Sequence, residues 1–277
     1  MNKRRLLIIP GILVVVCCII GVWWFTQSST VVKAQLVIDS GTVQVRHAGG
    51  TWTSADNGML LYQSDSVKTG ENTSASIILF ESSILRLDSN TEVTLEEILQ
   101  ETEATNVKIQ QDEGRTWNTI SKISGIDNYE VQTPVAVASV RGTSFCVNVQ
   151  SNGTTLVGVG TGVVNVSRII NNQLQPGLDV NKDEEVIIDP DALDQPLEIR
   201  PFEKDTWILQ NQEKDDELRG NVKQELYERI DQYIPELKNT YGVTDQELEV
   251  LIDGYLRGDF TLPPETPDWI RDLIELS

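Results

Sequence analysis

Three regimes of hydrophobic patterning follow one another along the chain. From Leu6 to Phe25 the residues are apolar and none is charged. From Val37 to about Ile199, short apolar runs alternate with polar positions. From about Asp205, apolar residues return at every third or fourth position. The first regime predicts a membrane-spanning helix, for which about 20 apolar residues suffice. Pro10 and Gly11 fall in its first turns, where a helix tolerates them. Trp23, Trp24 and Phe25 close the run as an interfacial aromatic belt, and Lys3, Arg4 and Arg5 hold the N-terminus in the cytoplasm. The bulk of the chain is therefore expected outside the cytoplasm, in a periplasm or at a cell surface. Val32-Lys33-Ala34 offers a competing signal-peptide cleavage site before Gln35, although the apolar run exceeds the ~7–15 residues of an ordinary signal core. Cys17 and Cys18 read as apolar fillers of the helix.

The second regime predicts strands. Val43-Gln44-Val45 alternates, and Gly49-Gly50 breaks the run. Met59 to Tyr62 is apolar. Ser76 to Leu79 leads into a turn at Glu81-Ser82-Ser83, and Ile84 to Leu87 into another at Asp88-Ser89-Asn90. Such runs, about 8–12 residues apart, point to a mainly β domain: a sandwich or jelly roll, a barrel, or a solenoid. Val135, Val137, Ser139 and Arg141 share one strand face; Ala136, Ala138 and Val140 share the other. Gly158, Gly160 and Gly162 predict a strand with a bulge or a close backbone approach.

The third regime predicts helices. Leu218, Val222, Leu226, Ile230, Ile234 and Leu237 form one apolar stripe, with a kink or restart at Pro235. Thr244-Asp245-Gln246-Glu247 is a capping box that opens a second helix. Thr266-Pro267-Asp268 opens a third, with Trp269 on its apolar face. The expected organisation is a cytoplasmic stub (1–5), a transmembrane helix (6–25), a linker (26–36), a β domain (37–200), a connector (201–214) and an acidic helical tail (215–277).

Charge narrows the partners. The net charge is −20, which argues against nucleic acid and against an anionic lipid surface. Residues 203–277 hold 19 acidic against 8 basic side chains, read mostly as solvated helix faces. Cys146 is the single cysteine beyond the apolar run, so no intramolecular disulfide is available there and the domain must stand on its core. His47 is the only histidine, which disfavours a His-based triad or a multi-histidine metal site. Asp179-Val180-Asn181-Lys182-Asp183 opens like a calcium loop, but Glu184 and Pro190 stand where that loop needs glycine and glutamate, so an acidic turn is expected. Trp52, Trp117 and Trp207 are expected to pack in the core.

One series of residues is more specific. It begins with Gly41-x-Val43-x-Val45, Trp52, Gly58 and Asp65-Ser66-Val67-Lys68-Thr69-Gly70. It continues with Leu85-Arg86-Leu87, Asn90 to Leu95 and Gly114-Arg115-Thr116-Trp117. It ends with Thr133-Pro134-Val135-Ala136-Val137-Ala138-Ser139-Val140-Arg141-Gly142-Thr143-Ser144-Phe145 and Gly162 to Val166. In this order it resembles the FecR domain family over roughly residues 37–170, with a further resemblance at Trp207-x-x-x-Asn211. Ser64 and Glu81-Ser82-Ser83 depart from the family's turn residues. The resemblance implies an extracytoplasmic β domain that receives a signal. It implies a structural role for Thr133, Pro134, Ala136, Ala138, Val140, Arg141, Gly142, Thr143 and Phe145. Arg141 is expected to satisfy backbone carbonyls and Gly142 to supply an unusual turn.

Named members carry a cytoplasmic anti-sigma segment before the membrane helix. Here five residues precede the apolar run, so that role is not expected. The resulting expectation is a single-pass, non-enzymatic binding or sensing module, without cofactor or metal, that contacts an envelope protein or polymer. It is held in the bilayer through residues 6–25. The alternatives are a transmembrane regulator acting through a separate cytoplasmic partner, and a cell-envelope hydrolase.

Overall fold

The computed structural model describes residues 34–80, 83–100, 105–121, 126–140 and 142–230, together with 235, 244–246, 249–250 and 252–253. The expected span at 6–25, its flanking Lys3, Arg4, Arg5, Trp23 and Trp24, and Arg141 lie outside these residues. Among the described residues no helix is long and apolar enough to cross a membrane.

Among the described residues the β-forming pattern becomes eighteen strands. The first are β1 (Ala34–Ser40), β2 (Val43–Arg46), β3 (Thr53–Ser54), β4 (Leu60–Leu61), β5 (Ser66–Thr69), β6 (Ser74–Leu79), β7 (Ser83–Leu87) and β8 (Glu92–Gln100). Then come β9 (Thr105–Thr119), β10 (Asn128–Gln132), β11 (Ala136–Val140), β12 (Ser144–Val149) and β13 (Thr155–Thr161). The last are β14 (Val163–Ile170), β15 (Gln173–Leu174), β16 (Leu178–Asn181), β17 (Glu184–Ile188) and β18 (Ile199–Pro201). A long helix follows, α1 (Thr206–Ile230).

Two sheets result. The first runs β4-β1-β6-β7-β9-β12-β13-β17-β18. The second runs β3-β2-β5-β8-β9-β10-β11-β14-β16, with β15 folded back on β14. All pairs are antiparallel except β9–β10. One core draws on both sheets: Leu36, Ile77 and Leu85 come from the first, and Val45, Val67, Val93 and Ile109 from the second. Alternation explains this. In β6, Ala75, Ile77 and Leu79 point inward and are fully buried, while their neighbours are partly exposed. Each large side chain buried this way contributes about 1.5–3 kcal/mol.

β9 belongs to both sheets. Thr105 to Gln110 pair with β8 and β10 in the second sheet, and Gly114 to Thr119 with β12 in the first. The chain turns the corner at Gly114, whose φ is +88°; a Cβ there would lie 2.4 Å from the Thr91 Cα. Only glycine meets both demands. Around the corner, the inward side of β9 carries polar residues in a continuous chain of bonds. Gln111 donates to the carbonyls of Gly114 (2.8 Å) and Val147 (3.2 Å). Thr116 donates to Gln111 (2.7 Å), Asn118 to Thr116 (3.0 Å) and Tyr129 to Asn118 (2.8 Å). Neutral groups this deep are tolerated because each has a partner. Burial pushes the Tyr129 phenol well above its ordinary pKa.

Boundaries differ from the sequence reading at two places. The expected linker 26–36 is already strand from Ala34. The expected connector 201–214 is helical from Thr206. The cause is Asp205, whose side chain accepts from the Ile208 backbone NH at 2.9 Å and caps the helix. The polar run that follows hides this start from a search for apolar periodicity. In the tail, Pro235 is helical, and Thr244 is the last non-helical residue before Asp245, as its cap predicts. The third predicted helix lies outside the described residues.

Candidate functional site

The alternation that buries Thr116 and Asn118 of β9 inward turns Arg115, Trp117 and Thr119 outward. Register places Arg86 of β7 and Cys146 of β12 beside Trp117. Gly158 of β13 follows beside Cys146, and Glu185 of β17 beside Gly158. Helix α1 covers this outer face with the stripe Ile208, Asn211 and Asp215, which are all buried. Ile208 packs with Trp117, Cys146 and Phe202. The strand glycines make room: a Cβ on Gly158 would lie 2.2 Å from the Phe202 ring, and one on Gly160 would lie 2.7 Å from Trp117. The close approach expected for this glycine series is thus present.

Polar contacts also fix the helix. Asp215, 1% exposed, accepts from Arg86 Nη1 at 2.6 Å, Trp117 Nε1 at 2.8 Å and Thr119 Oγ1 at 2.7 Å. A second, wetter set holds the helix start. Arg115 reaches Asp88 and Asp205, both at 2.5 Å, and its guanidinium lies 4.2 Å from the Trp207 ring centroid. Burial pulls the Arg115 pKa down, but bonds from Asp205 and Asp88 outweigh it and hold it above its ordinary value. For Asp205, burial pushes up, yet the Ile208 backbone NH and Arg115 win and hold it below the usual carboxylate range.

Beside the helix start opens a cleft of about 340 Å³. Cys146, Leu156 and Ile208 give it apolar lining; Arg200, Glu185 and Lys204 bring both signs of charge. Glu185 is fully buried and accepts from Arg200 Nε at 2.6 Å. Burial pushes the Cys146 thiol up to about 12, which favours its protonated form. Among the described residues, no group of three or more His, Cys, Asp or Glu side chains is placed to hold a metal.

The signature residues lie elsewhere, in the strands and crossings that support this face. Thr133 closes the turn into β11: Ala136 N donates to its Oγ1 at 3.0 Å, and Thr155 Oγ1 donates to it at 3.2 Å. Pro134 is exposed at that turn. Ala136, Ala138 and Val140 are core residues. Gly142, at φ +76°, lies where the chain crosses from the second sheet to the first. Thr143 is buried beside Gly162. Phe145 is fully buried edge-on to Tyr129, with ring centroids 6.3 Å apart.

Other candidates resolve individually. His47 Nδ1 lies 2.9 Å from Asp65 Oδ2, and Asp65 also accepts from Tyr62 N, closing the turn before β5. Ser64 in that turn takes φ +70°, a conformation natural to glycine. The stretch from Asp179 is a turn between β16 and β17. There Asn165 bonds Asp179, Asn181 bonds Glu184 and Lys204 pairs with Asp183. The tryptophan expectation holds for Trp117 and needs correction at Trp52 and Trp207. Trp117 is buried, but beneath the helix; Trp52 is only partly buried and lies against Arg46, 4.6 Å from its guanidinium, and Trp207 stacks on Arg115. Cation–ring contact holds the latter two near the surface.

One comparison with known proteins agrees with the signature. A family model described as FecR protein matches residues 65–165. No curated protein matches the chain in sequence. Two crystal structures of a provisionally assigned anti-sigma factor from Parabacteroides distasonis, at 1.65 and 2.50 Å, are 17% identical. Their TM-scores are 0.39 and 0.40 respectively. Each alignment covers 49% of this chain and 59% of that one, less than two thirds of its length.

Proposed function

We propose that this chain, which carries a FecR domain over residues 65–165, is a membrane-anchored, extracytoplasmic binding or sensing module. The family match carries this reading. The open cleft at the helix start supports it by offering a contact surface with apolar lining and both signs of charge. The apolar run 6–25 supports the anchor, and the net charge of −20 argues for an envelope protein or polymer over nucleic acid. A regulator that speaks to a separate cytoplasmic partner is the second reading, favoured by the signalling role that the FecR resemblance implies.

Two measurements test this. A reporter active only outside the cytoplasm, fused after Ser40, should be active; an inactive fusion overturns the topology. A photo-crosslinking side chain at Leu156, in the cleft, should give one discrete adduct in native membranes, whereas the same group at exposed Thr53 should not. Equal adducts at both positions would remove the cleft as the contact surface. Ester or glycoside turnover by the purified chain, abolished by one acidic substitution, would replace the binding reading with the hydrolase one.

A further inference from the structure

Helix α1 is held at two levels. The outer level is Asp205, Arg115, Asp88 and Trp207, which is partly solvated: the Asp205 side chain is 53% exposed. The inner level is dry, with Asp215 seated among Arg86, Trp117 and Thr119. The helix spans 25 residues, about 37 Å at the α-helical rise. Asp215 is its last residue with a polar contact to the sheets among the described residues. Beyond it, among the described residues, the polar contacts stay within the helix or reach the tail, as when Lys223 pairs with Glu249 at 3.0 Å and Asp253 at 2.8 Å. About 22 Å of helix thus extends past the socket. The other end is tied down, because β18 is hydrogen-bonded to β17 immediately before the helix.

We infer that α1 is a releasable strap over the outer face of the first sheet, with Asp215 as its latch, and that its release uncovers Trp117 and Cys146 and opens the cleft. The geometry sets the order. Among the docking contacts of the described residues, Asp215 stands nearest the tail, so a load or partner acting there meets it first while the tether at β18 holds the far end. Ile208 and Asn211 follow, and Trp207 with Asp205 leave last. The strap is separable in principle because the core between the sheets contains none of these residues: Trp117, Cys146, Phe202 and Ile208 form a cluster of their own. An ionic latch suits a detachable element. A carboxylate leaving the socket regains its hydration, which offsets part of the cost of breaking the ion pair. The strap also forms one wall of the cleft through Asp205 and Ile208. Tail and cleft are therefore coupled whatever the ligand is.

Cys146 reports on opening. In the full chain with Cys17 and Cys18 replaced by serine, one thiol remains, and it is 1% exposed. Asp215→Asn should speed its modification by a small maleimide on the order of a hundredfold, with the strand signal in circular dichroism unchanged. An unchanged rate overturns the strap, as does acceleration that follows global unfolding in urea. A measurement on the unaltered chain guards against a variant that fails to fold. Native-state hydrogen exchange should show amides of 209–219 opening at lower urea than those of β9 and β12. Identical protection in helix and strands overturns the proposal as well.

Discussion

β9 carries a buried polar network on each of its faces, and the two are built differently. Inward, Gln111, Thr116, Asn118 and Tyr129 are all neutral. Outward, Arg86 and Asp215 are ionic, with Trp117 and Thr119 completing the carboxylate's shell. The inner network joins residues of the two sheets themselves. The outer one joins the sheet to a helix that arrives about a hundred residues later in the chain. A neutral network costs little to bury and is suited to a part that never opens. An ion pair costs more to bury but is nearly as well placed in water, so it suits a part that docks.

The largest test of this contrast removes one charge outside. Asp215→Ala leaves Arg86 buried without its counter-charge and should cost about 3–5 kcal/mol in urea unfolding. Replacing both partners by methionine should recover most of that loss; no recovery would mean that the socket depends on shape rather than charge. Gly158→Ala comes next. Its Cβ meets the Phe202 ring and should cost about 1–3 kcal/mol by overpacking, with Cys146 more reactive. Tyr129→Phe strips one donor from Asn118 and should cost about 1–2 kcal/mol, with Cys146 no more reactive than before. A variant that also loosens the helix would erase the distinction between the two faces.

The smallest effect is in pH. The Asp205 pKa lies below its unfolded value, so its contribution is complete above the ordinary carboxylate range. That contribution fades as pH falls through the depressed value. Helix docking, followed by Cys146 labelling, should weaken towards acid, and Asp205→Asn should flatten that slope.

Much of the β domain was legible in sequence because alternation survives wherever a strand has one wet side. The turn at Asp88-Ser89-Asn90 and the crossing at Gly142 were readable from residue type, and Asn90 takes φ +53°. Where both sides are covered the signal failed. Thr116 to Thr119 are all buried, and nothing in that polar run says so. Asp215 was the least visible, since it stands in Lys214-Asp215-Asp216-Glu217 and reads as solvated. The available clue was spacing: Ile208, Asn211 and Asp215 lie on one helical face, continuing from Trp207-x-x-x-Asn211. Arg86, between two core leucines in a strand, was the other half of the clue. It needed a long-range partner that local pattern does not supply.

The shared strand also bears on how the chain reaches this state. β9 pairs with β7, β8 and β10, and also with β12, which begins 25 residues after β9 ends. Neither sheet can be completed by the first hundred residues, so a nascent chain released or halted before β12 emerges has two half-sheets with open edges. Folding dominated by such distant pairings is slow, and exposed strand edges recruit other chains. The interval between the appearance of β8 and that of β12 is therefore when this domain most needs a chaperone.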